Sequence, residues 1–216
     1  MCSSDLAAIL PTVIPISCTQ VEVHILRRRG KRLETLLLRR SPERSLAGVW
    51  QPVTGGIERG ESAIAAAVRE VREETGLRPI RWWSLEHMAT FYDVAADHVR
   101  VVPVFVAEVA WTDPVHLSHE HDRYAFMPLE KAWDTVLWAT QRRALEALAE
   151  EVLSGSPGGA AREITARVAT ASRPRTARAT SASRRRTASS TPARTARTRT
   201  SGRTPARTSA TRRRTR

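Results

Sequence analysis

Residues 55–77 read GGIERGESAIAAAVREVREETGL, a glycine-containing turn that runs into a stretch with helical period. At 100° per residue, Ile64, Val68 and Val71 form a stripe at i, i+4, i+7 suited to docking on a core. Glu70, Glu73 and Glu74 fall within about 100° of one another on the opposite side of that helix. Like charges at these spacings repel by a few tenths of a kcal/mol per pair, so helix stability alone does not place them there; a bound cation would. Ser62 suits an N-cap and Gly76 the C′ stop, and Ala65, Ala66 and Ala67 favour helix between them. An all-oxygen donor set, without His or Cys, suits Mg²⁺, with Mn²⁺ as a substitute, and argues against zinc. Because Mg²⁺ commonly bridges carboxylates to phosphates, a phosphorylated small-molecule substrate is expected.

Gly55, five residues, Glu61, seven residues and then Arg69-Glu70-Val71-x-Glu73-Glu74-x-Gly76-Leu77 resembles the Nudix box at every fixed position. The resemblance implies an α/β/α sandwich with a mixed sheet, and hydrolysis of nucleoside diphosphates linked to a further group X. It also implies that the Gly55 carbonyl, Glu70, Glu73 and Glu74 hold the metal. The backbone at Gly55 is expected to turn sharply and leave that carbonyl exposed. Arg69 read by itself is an i, i+4 partner of Glu73; the resemblance makes it the group that orients the carboxylates through hydrogen bonds.

Val49-Trp50-Gln51-Pro52-Val53-Thr54-Gly55 and Glu120-His121-Asp122-Arg123-Tyr124-Ala125-Phe126 resemble segments of the dihydroneopterin triphosphate and dATP pyrophosphohydrolase group within that family. This implies that Glu120 is a further metal ligand or the general base, and Glu70 is the other candidate for the base. His116, His119, Glu120 and His121 together invite a zinc reading. Adjacent positions on an extended segment point to opposite sides, so a polar loop ahead of a strand is preferred. Tyr92 lies at roughly the distance past the box of a Tyr in members that cleave dinucleoside polyphosphates.

Outward from the box, residues 20–29 and 33–40 are strand-like and joined through Gly30 as a hairpin. Residues 81–92 and 98–110 read as further strands, with Pro103 marking an edge or bulge. Trp82 and Trp83 point to opposite faces, one expected in the core; the other is placed to stack on a base, but core packing is the commoner role of such an aromatic. A short helix is expected over 128–134 and a longer one over 135–153.

Composition divides the chain. The net charge is +13, yet residues 155–216 hold 17 Arg and one acid, Glu163. Residues 1–154 therefore hold 18 basic against 21 acidic side chains, a net of −3. All six Trp lie in that part, which is long enough to bury a proper core. Residues 1–19 are read as an N-terminal extension, 20–154 as the hydrolase domain and 155–216 as a disordered Arg/Thr/Ala/Ser-rich tail. Such a tail binds nucleic acid weakly through phosphates, although it lacks aromatic residues for stacking; a shifted reading frame explains its composition equally well. The apolar run near the N-terminus has no basic n-region and is interrupted by Pro11 and Pro15, against a signal or membrane span. Cys2 and Cys18 are too few for a disulfide framework, and a cytoplasmic, reduced protein is expected.

The expected reaction is metal-dependent conversion of a nucleoside or pterin triphosphate to monophosphate and pyrophosphate. Dinucleoside polyphosphates or another nucleoside-diphosphate-X are alternative substrates. Two non-enzymatic readings remain: a nucleotide-binding module, and a nucleic-acid-binding protein acting through its tail.

Overall fold

The computed structural model describes residues 13–171. Cys2 and the basic segment beyond residue 171 lie outside the described residues. A two-residue strand β1 (Ile16–Ser17) leads into β2 (Gln20–Arg29), in which Val21 through Leu26 are all buried. A strand buried on both faces needs layers above and below it, and helices supply both. β2 and β3 (Arg32–Arg40) form the expected hairpin, pairing antiparallel from Arg29↔Arg32 to Ile25↔Leu36. Gly30 turns it at φ 59°, a conformation that costs glycine nothing for want of a Cβ.

Next come β4 (Trp50–Gln51), β5 (Val53–Gly56) and the helix α1 (Ala63–Thr75). The long strands β6 (Arg81–Asp93) and β7 (His98–Val109) follow, and then β8 (His121–Met127). β7 runs parallel to β1 and β2 and antiparallel to β6. β5 pairs antiparallel with β2, and β4 and β8 pair antiparallel with β3. The result is a mixed eight-stranded sheet.

Alternation along the strands divides the core between the two faces. Val21, Val23 and Ile25 meet Ala66, Ala67 and Val71 of α1 on one side. On the other, Leu26, Val104 and Val106 meet Ala144 and Leu148 of α3 (Ala139–Leu148). The α/β/α sandwich is thus present. Trp82 and Trp83 do point to opposite faces, but both are buried, one in each core layer. Core packing, the commoner of the two readings, holds for both, and helices cover both sides of the sheet there, which leaves neither to stack on a base. Pro103 pairs opposite Met88, where the β6/β7 register shifts between Ser84 and Met88, as a residue without an N–H donor requires.

The C-terminal layer differs from expectation in two places. The short helix α2 (Leu129–Thr135) forms, but α3 begins at Ala139 because Val136 and Trp138 are extended and bury Val136. A π-helical turn (Ala149–Leu153) continues α3. Packing also does not stop at Gly155. Two more helices, α4 (Pro157–Ala161) and α5 (Thr165–Ala171), follow, so the expected tail boundary is corrected for residues 155–171. Ile164 and Val168, four residues apart, pack into the α1-side core with Trp82. The Ile164 N–H donates to the Trp82 carbonyl at 2.8 Å, and Glu163 pairs with Arg81 at 2.7 Å. Two aliphatics suffice because Trp82 offers a broad apolar surface and the β6 edge offers free backbone groups.

Candidate functional site

The helix that carries the acids is fixed at both ends by its own sequence. The Ser62 hydroxyl accepts from the Ala65 N–H at 3.2 Å, and Gly76 closes the helix at φ 70° with its N–H on the Arg72 carbonyl. The apolar side of α1 docks on β2 and β5, which sets the acidic side against the edge of β5.

Gly55 sits within β5, paired with Val21. The expectation of a sharp turn there is corrected: the backbone is strand. Glycine is required for a different reason. A Cβ on Gly55 would lie 1.9 Å from Cδ and 2.2 Å from Cγ and Oε1 of Glu70. The missing side chain is the space that the Glu70 carboxylate occupies.

Arg69 reaches three of the acids through hydrogen bonds. Its Nε and Nη2 donate to Glu61 at 3.1 and 3.0 Å, and its Nη1 donates to Glu70 at 2.7 Å and to Glu73 at 3.1 Å. Nη2 also donates to the Gly56 carbonyl at 2.7 Å. One planar fork thereby ties helix, loop and strand together. These contacts hold the guanidinium firmly protonated and lower the Glu61 pKa. For Glu70, burial outweighs Arg69, and its pKa is raised.

Glu74 is buried at the floor of the acidic group. Burial first, and then the charges of Glu70 and Glu120, push its pKa up to about 9. Its Oε2 has no hydrogen-bond partner, a deficit that costs about 1–3 kcal/mol when left unfilled. Glu120 arrives from the start of β8 beside β3, with Arg44 at 2.9 Å from its carboxylate. A cleft of about 300 Å³ is lined by Thr54, Gly55, Gly56, Glu70, Glu73, Glu74, Ser118, His119 and Glu120. Every sequence-predicted ligand and both candidate bases therefore line one cleft, with Arg69 at its rim. Tyr92 is not among those residues; it is exposed and donates to Asp97 at 2.6 Å.

Four features of the cleft fit a hard divalent cation: an all-oxygen donor set, the backbone of Gly55, the unpartnered Glu74 oxygen and a charge cluster that raises carboxylate pKa values. As the side chains lie, no three His, Cys, Asp or Glu among the described residues converge on one point; Glu70 and Glu73 each give an oxygen to Arg69 instead. The histidines do not make a zinc site. His119 lies against Arg44, and His121 is buried with both ring nitrogens unpartnered.

Sequence reasoning missed Arg44, and it named His121 only in a histidine cluster ahead of a strand, without its approach to Glu74. Their approach to Glu74 and Glu120 depends on the β3/β8 register and its shift between Arg39 and Arg40, for which the sequence carries no local signal. Glu61 is a fixed position of the box, and the geometry now gives it a task as the acceptor for two arms of Arg69.

The family model for the NUDIX domain matches residues 19–148. The octanoyltransferase of Myxococcus xanthus is 34% identical over 133 residues, which are 61% of this chain and 35% of that protein. The chain thus spans about a third of that relative's length. The asymmetrical bis(5'-nucleosyl)-tetraphosphatase of Caenorhabditis elegans is 32% identical over 111 residues, 50% of this chain and 77% of that protein. Among solved structures, a C. elegans Ap4A hydrolase binary complex superposes with a TM-score of 0.55 at 26% identity, covering 65% of this chain and all of that one.

Proposed function

The chain belongs to the NUDIX family, and on that premise we propose that it is a divalent-metal-dependent hydrolase of a nucleoside polyphosphate. The observation that carries this reading is the single cleft that gathers Gly55, Glu70, Glu73, Glu74 and Glu120. The Gly55 carbonyl and the three helix carboxylates would hold Mg²⁺ or Mn²⁺. When bound, that ion supplies positive charge against phosphate oxygens and acidifies water.

The chain's own residues do the rest. Arg69 holds one oxygen each of Glu70 and Glu73, which restrains their orientation and leaves the other oxygen of each for the ion. Glu120 or Glu70 takes the proton of the attacking water, a contribution of roughly 10²- to 10⁴-fold. Water adds to one phosphorus, the bridging P–O bond breaks and the leaving phosphate departs as an anion. Glu74→Gln is expected to remove most activity through lost metal binding; near-normal turnover at saturating Mg²⁺ would count against the assignment.

Two substrate readings have separate support. Similarity to the asymmetrical tetraphosphatases favours a dinucleoside tetraphosphate split into nucleoside triphosphate and monophosphate. The segments 49–55 and 120–126, which contribute Thr54, Gly55 and Glu120 to the cleft, favour a nucleoside or pterin triphosphate split into monophosphate and pyrophosphate. Incubating the full chain and Mg²⁺ with both classes, followed by product identification, separates them. A triphosphate product from the tetraphosphate supports the first, pyrophosphate from a triphosphate supports the second, and no turnover of either refutes the proposal.

A further inference from the structure

The unpartnered oxygen of Glu74 faces a histidine in the same condition. Glu74 Oε2 lies 3.9 Å from His121 Nδ1, and the two side chains are 6% and 1% exposed. Neither of these atoms has a hydrogen-bond partner. The separation exceeds hydrogen-bond reach and leaves no room for a bridging water. A shift of roughly 1 Å would bring the pair within hydrogen-bond distance.

The surrounding backbone fixes this approach. The Ser118 N–H donates to the Glu74 carbonyl at 3.2 Å, and the His116 N–H to the Thr75 carbonyl at 2.8 Å. The loop ahead of β8 is therefore stitched to the last turn of α1, and β8 starts with His121 directly beside Glu120. We propose that His121 is a positioning residue whose Nδ1–H donates to Glu74 Oε2 and turns the other carboxylate oxygen into the cleft. This rests on the reading of Glu74 as a metal ligand. Histidine suits the place because its rigid ring reaches Glu74 from a strand while remaining buried, and one ring N–H is enough to fix the carboxylate.

The test is Mn²⁺ affinity of the full chain without nucleotide, read by electron paramagnetic resonance, with melting temperature followed in parallel. His121→Asn keeps a donor near the Nδ1 position and is expected to bind within about threefold of the unsubstituted chain, whereas His121→Leu loses roughly 10- to 100-fold. A residue that merely fills space gives the opposite order, because Leu fills the buried site better than Asn; that order overturns the proposal. Should His121→Leu fail to fold, ¹⁵N NMR of the unsubstituted chain with Mg²⁺ decides: a protonated Nδ1 supports the proposal and an unprotonated one overturns it. Glu74→Gln separates the two levels. Lost Mn²⁺ binding in Glu74→Gln, with full affinity in His121→Leu, overturns the positioning role alone; retained binding in Glu74→Gln overturns the metal reading beneath it.

Discussion

Replacing Gly55 by Ala adds one methyl group at the point where strand and helix come closest. The new Cβ would stand 1.9 Å from Glu70 Cδ, and carbon atoms rest about 3.5 Å apart or more, so the Glu70 side chain must retreat by roughly 1.6 Å. The clash is with a flexible side chain and leaves the Val21 pairing of β5 intact. The fold should therefore survive with a loss of about 1–3 kcal/mol, typical of overpacking. The displaced carboxylate loses its 2.7 Å contact with Arg69 and its place beside the Gly55 backbone. Since groups that hold a metal ligand in place are worth 10- to 100-fold in affinity or activity, Gly55→Ala should lower Mn²⁺ affinity by about that factor while remaining cooperatively folded. Isothermal titration with Mn²⁺ and urea unfolding of the same preparation measure both quantities. Unchanged Mn²⁺ affinity in Gly55→Ala would refute the reasoning that the missing side chain exists to seat Glu70.

Arg69→Lys keeps the charge but cannot span Glu61, Glu70, Glu73 and the Gly56 carbonyl, so turnover should fall by roughly 10- to 100-fold in steady-state assays with saturating Mg²⁺. Glu74 has its pKa raised to about 9 from an ordinary 4.5, so folding favours its protonated form. Without metal, stability should therefore fall as pH rises from about 4.5 toward 9, by about 3 kcal/mol at pH 7; thermal melts across that range should show the slope, and Glu74→Gln should flatten it. Because ionised Glu74 is the proposed ligand, Mn²⁺ affinity should rise with pH over the same window. Removing 155–216 uncovers Trp82 and deletes buried Val168, and should cost about 2–4 kcal/mol in urea unfolding.

The acidic helix was legible because its signals are local: Ser62 and Gly76 cap it, and its acids and aliphatics separate with helical period. The β2/β3 hairpin was legible for the same reason. Gly55 shows a limit of such reading. A glycine is required there, but sequence does not distinguish a turn from a strand position crowded by Glu70. Residues 155–171 show another. Their apolar content is low, and Ile164 and Val168 gain their hold from the surface of Trp82, eighty residues away in the chain. The helical period places Glu74 with the other acids but does not reveal its burial, which comes with the loop 116–120 stitched to the end of the helix. His121 and Arg44 enter through strand pairing at long range, and no spacing rule announces them.

The proposed activity requires a divalent ion held in one cleft by the Gly55 backbone and the carboxylates of α1. Crystals of the full chain soaked in MnCl₂ and measured at a wavelength where manganese scatters anomalously test this most directly. The account predicts an anomalous peak within coordination distance of the Gly55 carbonyl and of Glu70 or Glu74. An ordered cleft without such a peak, at a manganese concentration that supports turnover, would contradict it.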